Sequence, residues 1–229
     1  MKSLKHALVL TSAGSSVRFK NGKKEFHLID GKSVLLRAAL PFVNCGCLAI
    51  VVTYKEGTLD QTKKALEGLP SSVPLYFTPG GKSRRESVFN GLKKLSECLE
   101  FKNEDKNILV SIHDGARPFV SEALVKSCLE KASIYGASVP AIKGKDTLAL
   151  VENSVIKSYI DREKTVFLQT PQVFRLSEIL LAHQKADRDG MEFTDDTSLF
   201  TAYGGVVHVV SGEVENTKIT YPEDMEKFK

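Results

Sequence analysis

The sequence predicts a layered α/β domain, and three observations carry that prediction. Short β-branched or aliphatic runs recur between segments of helical period. Loops of small residues or glycine follow several of those runs, where strands hand over to helices. Hydrophobic residues fill 42% of 229 positions, enough for one sizeable core, and no internal repeat, low-complexity tract or linker divides residues 1–229. The chain is therefore read as a single domain.

The first strand is expected at residues 7–10. It runs into Thr11-Ser12-Ala13-Gly14-Ser15-Ser16 and then three cations, Arg18, Lys23 and Lys24. A loop of small residues lets backbone N–H groups approach phosphates while fixed positive charge stands nearby, so the chain is expected to handle a nucleoside triphosphate. Arg18 and Lys24 would grip it if residues 14–24 fold back over it; Lys20 and Lys23 are read as solvated. Further strands are expected at 48–53 and 75–77. The second of these leads to Pro79-Gly80-Gly81-Lys82, where backbone can approach a planar ring and Ser87, one turn into the next helix, can reach it. That helix opens on Ser83-Arg84-Arg85-Glu86, a capping-box pattern, and runs through Leu95.

A strand at 108–112 precedes Ile112-His113-Asp114-Gly115-Ala116-Arg117-Pro118. An acid at the carboxyl end of a buried strand lies where open α/β sheets bind ligands, which makes Asp114 a candidate Mg²⁺ ligand; capping the following turn is its structural alternative. Ser121 and Thr194 are expected helix caps, with Asp195 and Asp196 suited to a helix dipole, and strands follow at 137–142, 166–168 and 206–210. Residues 147–151 and 154–160 break the alternation and read as two strands around the turn Glu152-Asn153. An isolated hairpin is marginal in water, so residues 143–163 are expected to project and pack against a second subunit. His27, His183 and His208 are read as structural or surface residues.

Composition narrows the function. No stretch approaches the roughly 18 consecutive apolar residues of a membrane span, and Met1 through His6 pass into a strand without a cleavable apolar segment; a soluble, cytoplasmic protein is expected. The net charge of +4, from 32 basic and 28 acidic residues, suits anionic small molecules more than a nucleic-acid track. Four cysteines, with only Cys45 and Cys47 close together, read as reduced structural thiols rather than zinc ligands. Gly81-Lys82-Ser83 and Gly31-Lys32-Ser33 imitate the end of a P-loop, but Tyr76 and Phe26 stand where its first glycine belongs. Gly14-Ser15-Ser16 lacks the second glycine of the dinucleotide fingerprint, which disfavours a nicotinamide-dependent oxidoreductase.

Taken together, these segments resemble the 2-C-methyl-D-erythritol 4-phosphate cytidylyltransferases of non-mevalonate isoprenoid synthesis. The resemblance spans nearly the whole chain: Ala13-Gly14 to Arg18, Lys24 with Phe26, Gly80-Gly81 to Ser87, 113–118, Asp146-Thr147, Asp161-Arg162, Thr170-Pro171-Gln172, Thr194-Asp195-Asp196, Asn216 to Lys218 and Pro222-Glu223-Asp224. It implies a Rossmann-like nucleotidyltransferase domain, a mostly parallel mixed sheet with a projecting β-hairpin arm. The implied reaction transfers CMP from CTP to a polyol phosphate and releases pyrophosphate, with Mg²⁺. Ribitol 5-phosphate is an alternative acceptor, and a non-catalytic CTP-binding protein is the alternative from another class. By the resemblance Arg18, Lys24 and Lys218 would act on the triphosphate, and Ala13, Gly14, Gly81, Ser87 and Gly115 would line the cytidine pocket. Asp114 would serve Mg²⁺ or the acceptor. Arg117, Thr147, Arg162 and Thr170 would bind the acceptor phosphate, Thr147 and Arg162 reaching the neighbouring subunit of a homodimer.

The residue types agree with such chemistry. A phosphate monoester has its second pKa near 6, so the attacking oxygen is already ionised at neutral pH and needs no general base. Two departures stand out. Ser12 replaces an alanine and Ser16 a glycine of the family loop, and Ser16 carries backbone strain if that position needs positive φ. Lys23-Lys24-Glu25-Phe26-His27 replaces Pro-Lys-Gln-Phe-Leu, which removes the stiffness of proline and sets an acid beside Lys24.

Overall fold

The computed structural model describes residues 4–19, 22–99 and 108–226; Lys20 lies outside them. The order begins with β1 (His6–Ser12), a minor hairpin of β2 (Leu28–Ile29) and β3 (Lys32–Ser33), and α1 (Val34–Asn44). Then come β4 (Ile50–Tyr54), α2 (Leu59–Ala65), β5 (Leu75–Pro79), α3 (Arg84–Cys98), β6 (Leu109–Asp114), α4 (Glu122–Tyr135) and β7 (Ala137–Lys143). A hairpin of β8 (Leu148–Glu152) and β9 (Val155–Ile160) precedes β10 (Val166–Leu168), β11 (Gln172–Arg175), α5 (Leu176–Arg188), α6 (Asp196–Ala202), β12 (His208–Ser211) and α7 (Glu223–Glu226).

The large sheet runs β10-β7-β11-β6-β1-β4-β5, with β12 also paired to β7. β1 lies parallel between β4 and β6, β4 is parallel to β5, and β12 is parallel to β7. β10 and β11 run antiparallel to their partners, so the sheet is mixed and mostly parallel, as expected. The chain leaves β1 to one side for β4 and returns on the other for β6, so their carboxyl ends open a crevice, the ligand position of open α/β sheets.

Alternation along β1 builds two apolar layers. Leu8 and Leu10 join Leu35, Phe42, Val125 and Leu129 under α1 and α4, whereas Ala7 and Val9 join Val88, Leu92, Ile179 and Phe200 under α3, α5 and α6. Strands buried on both faces read as unbroken apolar runs, which is why β1, β4 and β6 are visible in the sequence. Gly91 lets α3 approach the sheet, because a Cβ there would stand 2.6 Å from Val9 Cγ1 and 3.1 Å from Thr53 Cγ2. Gly91→Ala is expected to destabilise the protein by about 1–3 kcal/mol through overpacking, read as a lower urea midpoint at unchanged slope.

Three expectations need correction. β11 falls between strands in no predicted run, because Val173 and Phe174 are its only apolar residues, yet it pairs with both β6 and β7. The cap of α6 is Asp195, whose carboxylate accepts from Ser198 N at 2.8 Å, and not Thr194. The strand expected at 206–210 is β12, displaced to His208–Ser211. Ser83 and Ser121 cap α3 and α4 as expected, and α3 runs one turn beyond Leu95.

The hairpin forms its own two-stranded sheet with a register shift at Leu150/Val151. Its tip is Asn153 (φ 51°) and Ser154 (φ 64°), one residue later than expected, since tight hairpin turns of this kind need two left-handed residues. Leu150, Val151, Val155, Ile156 and Tyr159 all remain exposed, Tyr159 at 71%.

Candidate active site

The first loop leaves β1 at Ser12 and wraps back through two short 3₁₀ turns, Val17–Phe19 and Lys24–Phe26. Arg18 and Lys24, carried on these two turns, face one cavity. Ser16 has φ 52°, the left-handed conformation at which an L residue carries about 1–2 kcal/mol of strain. Its hydroxyl donates to Glu25 Oε2 at 3.3 Å, tying the strained residue to the returning chain. Lys23 is not a solvated loop residue: its ammonium donates to the carbonyl of Ser12, and burial lowers its pKa, with Glu25 opposing the shift.

Arg18, Lys24, Asp114 and Lys218 line one cavity of ≈ 310 Å³, together with Ala13, Gly14, Ser87 and Arg84. Burial lowers the pKa of Lys24, while Glu25 raises it and Lys218 lowers it further. Asp114, at the end of β6, is the cavity's counter-ion. Its carboxylate meets Lys218 Nζ at 2.9 Å, Arg117 Nε at 3.6 Å and Arg84 Nε at 3.9 Å. Burial alone would raise this carboxyl, but Lys218, Arg84 and Arg117 outweigh it and hold Asp114 well below the usual carboxylate range.

Neighbouring polar groups fix this arrangement. Asp114 N donates to Thr170 Oγ1 at 3.2 Å, and the Thr170 hydroxyl lies 2.9 Å from His113 Nδ1. The other ring nitrogen of His113 is 3.2 Å from the carbonyl of Arg117, and burial pushes its pKa down to about 4. His113 is thus a neutral strut between loops. Arg117 donates to the carbonyl of Asn216 at 2.7 Å, and Asn216 donates to that of Thr170 at 2.8 Å, so the segment carrying Lys218 is held against β6 and β11.

Beside this cavity opens a second of ≈ 700 Å³, sharing Ala13, Gly14, Ser15, Arg84 and Ser87 and adding Tyr54, Gly80 and Gly81. The glycines serve close approach to protein: a Cβ at Gly80 would meet Ala13 Cβ at 2.2 Å, and one at Gly81 would meet Glu86 Cβ at 2.3 Å. Ser87 accepts from Gly81 N at 3.0 Å and donates to the carbonyl of Ser83 at 2.9 Å, so its hydroxyl shapes the loop. In the capping box, Ser83 accepts from Glu86 N, but Glu86 returns to Lys82 N at 2.7 Å.

The expected site residues do not all meet. Gly115 lines neither cavity; it packs where a Cβ would stand 2.6 Å from Leu35 Cδ1 and 2.9 Å from the carbonyl of Thr11. Thr147 and Arg162 lie exposed at the base of the arm, away from both cavities. Sequence reasoning missed Glu25 and Arg84 as cavity residues. Arg84 had a signal, because it stands three residues before Ser87 and so shares its helix face. Among the described residues no group of three or more His, Cys, Asp or Glu side chains could hold a metal ion, and no helix is long and apolar enough to cross a membrane.

The model of the 2-C-methyl-D-erythritol 4-phosphate cytidylyltransferase family matches residues 6–228. Two relatives described as that cytidylyltransferase, from Halalkalibacterium halodurans and Bacillus licheniformis, are 36% and 32% identical. Each alignment covers 97% of this chain, and 94% and 93% of the relative. The crystal structure of the Thermus thermophilus cytidylyltransferase superposes with a TM-score of 0.74 at 31% identity, covering 96% of this chain and 95% of that one. That of the Anaerococcus prevotii 4-diphosphocytidyl-2C-methyl-D-erythritol synthase gives 0.81 at 26%, covering 98% and 94%. With the crevice, the cation cluster and the glycine loop in the order the sequence motifs imply, the chain belongs to the 2-C-methyl-D-erythritol 4-phosphate cytidylyltransferase family.

Proposed function

We propose that the paired cavities bind CTP, cytidine beside Gly80-Gly81 and triphosphate among Arg18, Lys24 and Lys218, and transfer CMP to 2-C-methyl-D-erythritol 4-phosphate. The observation that carries this reading is the convergence of Arg18, Lys24, Asp114 and Lys218 on one cavity. A phosphate oxygen of the acceptor, ionised above its second pKa near 6, forms the new bond to the α-phosphorus. The bond to the bridging oxygen breaks, and its electron pair leaves with pyrophosphate. Arg18, Lys24 and Lys218 neutralise the charge that gathers on the α-phosphate and the departing group. Arg117 and Thr170, expected at the acceptor phosphate, line neither cavity; their polar groups go to Asp114, His113 and Asn216, so they would serve the acceptor through the placing of Asp114. Mg²⁺ takes one or two carboxylates and fills its shell with phosphate oxygens and water; Asp114, the carboxylate at the end of β6, would hold it in exchange for part of its pairing with Lys218, Arg117 and Arg84, and bound Mg²⁺ would supply further charge neutralisation.

The arm completes the reading as a homodimer contact. Its exposed Leu150, Val151, Val155, Ile156 and Tyr159 need a surface to cover, and a second copy would bring Thr147 and Arg162 to that copy's cavity. Sedimentation at micromolar concentration is expected to give a dimer; a monomer overturns this assignment.

Incubation with CTP, Mg²⁺ and either 2-C-methyl-D-erythritol 4-phosphate or ribitol 5-phosphate tests the reaction through pyrophosphate release. Release with the first acceptor and little with the second is expected, and none with either would leave a CTP-binding protein. Glu25 adds a charge prediction. It lines the triphosphate cavity at 3% exposure, so it opposes an incoming polyanion. Glu25→Gln keeps an oxygen for Ser16 and removes that charge, so KM for CTP is expected to fall about threefold to tenfold at nearly constant kcat, most clearly at low salt.

A further inference from the structure

We propose that Arg84 is a substrate-contacting cation at the junction of the two cavities, and that His183 positions it through Asp196. This rests on the nucleotide reading above and extends it to residues that reading does not use. Arg84 and Arg85 open α3 side by side but point to different tasks. Arg85 pairs with Asp187 and Glu192 at 3.2 and 3.0 Å, carboxylates that are both more than half exposed. Arg84 lines both cavities, with Nη1 2.7 Å from Asp196 Oδ2 and Nε 3.9 Å from Asp114 Oδ1.

Behind Arg84 the polar chain continues into the core. Asp196 is 1% exposed, and its Oδ1 lies 3.2 Å from Nε2 of His183, which is wholly buried. Asp196 N also donates to Gln172 Oε1 at 3.1 Å, fixing the first turn of α6 to β11. The chain ends there: the His183 ring stacks on Phe89 at 5.9 Å, and its Nδ1 has no hydrogen-bond partner. A proton on Nε2 therefore fits the surroundings, since it is donated to Asp196 and leaves Nδ1 as a bare acceptor.

A buried imidazole–carboxylate–guanidinium chain is a poor stabilising device, because desolvation offsets most of its attraction. What it fixes is direction. His183 sets the plane of the Asp196 carboxylate, whose second oxygen meets the guanidinium as an ion pair and not as an aligned hydrogen bond, so it anchors Arg84 by charge and leaves its N–H groups for a ligand between the base pocket and the triphosphate cavity. A nucleoside triphosphate laid across that junction places its α-phosphate there. Arginine suits this position because its planar fork presents two donors to one phosphate.

The test compares Arg84→Lys, Asp196→Asn, His183→Leu and His183→Gln with the parent protein in the pyrophosphate-release assay, with thermal melts of each and calorimetric CTP binding without acceptor. Arg84→Lys and Asp196→Asn are expected to lower kcat at least tenfold, with KM for the acceptor within about twofold. His183→Leu is expected to lower kcat about fivefold to tenfold at unchanged folded fraction. His183→Gln, which keeps a donor toward Asp196, is expected to recover at least half of the parent kcat. If His183→Leu turns over within twofold of the parent, or if His183→Gln is no better than His183→Leu when both are folded, the positioning role is wrong. A parent-like Arg84→Lys removes Arg84 from the substrate. Should the parent itself release no pyrophosphate, the reaction has failed instead; CTP affinity weakened at least fivefold in Arg84→Lys then still supports the contact, and unchanged affinity overturns it.

Discussion

Lys24→Ala is expected to lower kcat by about a hundredfold, the loss typical of removing one preorganised donor of about 3 kcal/mol from a developing negative charge. Lys24 lines the cavity proposed for the triphosphate from a three-residue turn, with its side chain only partly buried, so truncation removes little core packing. The melting temperature is therefore expected to stay within about 2 °C of the parent. Lys24 also shares its field with Lys218 and Arg18, which disfavour its charge, and with Glu25 and Asp114, which favour it, so the cavity gathers cations against their mutual repulsion. A tetra-anionic ligand relieves that repulsion, and the gain is largest where the charge on the ligand is redistributed during transfer. Lys24→Arg, which keeps the charge but widens the head group, is expected to fall between the two. Near-parent turnover in a folded Lys24→Ala protein would take Lys24 out of the mechanism.

Much of this site is legible in the sequence, for a physical reason. Strands β1, β4 and β6 are covered on both faces, so they appear as apolar runs, and the ligand side of the sheet follows from where those runs end. The loop of small residues, the glycine pair and Asp114 all fall at such ends. Arm residues are legible too, because alternating strands around a polar turn have no buried partner within one chain. What escapes is whatever depends on tertiary pairing. β11 is set by its register with Ser111 and Ile112 on one side and Ser138 on the other, and its outer residues Gln172 and Arg175 carry no strand signature. Lys23 reads as one more basic loop residue until the loop closes and the carbonyl of Ser12 receives it. Gly115 reads as a pocket glycine, yet Leu35 and the Thr11 carbonyl are what demand the missing Cβ. Arg84 and Arg85 are indistinguishable in composition; only the 100° step between them on α3 sends one to the cavity and the other to Asp187 and Glu192.

The larger structural effect is expected from Asp114→Ala. It deletes the anion shared by Lys218, Arg84 and Arg117, which leaves Lys218 and Arg117 with no carboxylate and Arg84 held by Asp196 alone. Breaking a buried ion pair from one side costs about 3–5 kcal/mol, and the lower end is expected because Lys218 remains 39% exposed. The pH dependence identifies the cause. Asp114 is held below the ordinary carboxylate range, so its contribution is fully present above the unfolded value near 3.9 and is lost as pH falls through the folded value. The stability gap between parent and variant is therefore expected to be constant from pH 8 to 5 and to narrow below about pH 4. The cations released from Asp114 also become a stronger anion site: with chelator present, pyrophosphate is expected to raise the melting temperature of Asp114→Ala more than that of the parent, while turnover with Mg²⁺ is lost. A gap that widens toward acid, or pyrophosphate stabilising both proteins equally, would mean that Asp114 is not the counter-ion on which the cluster is built.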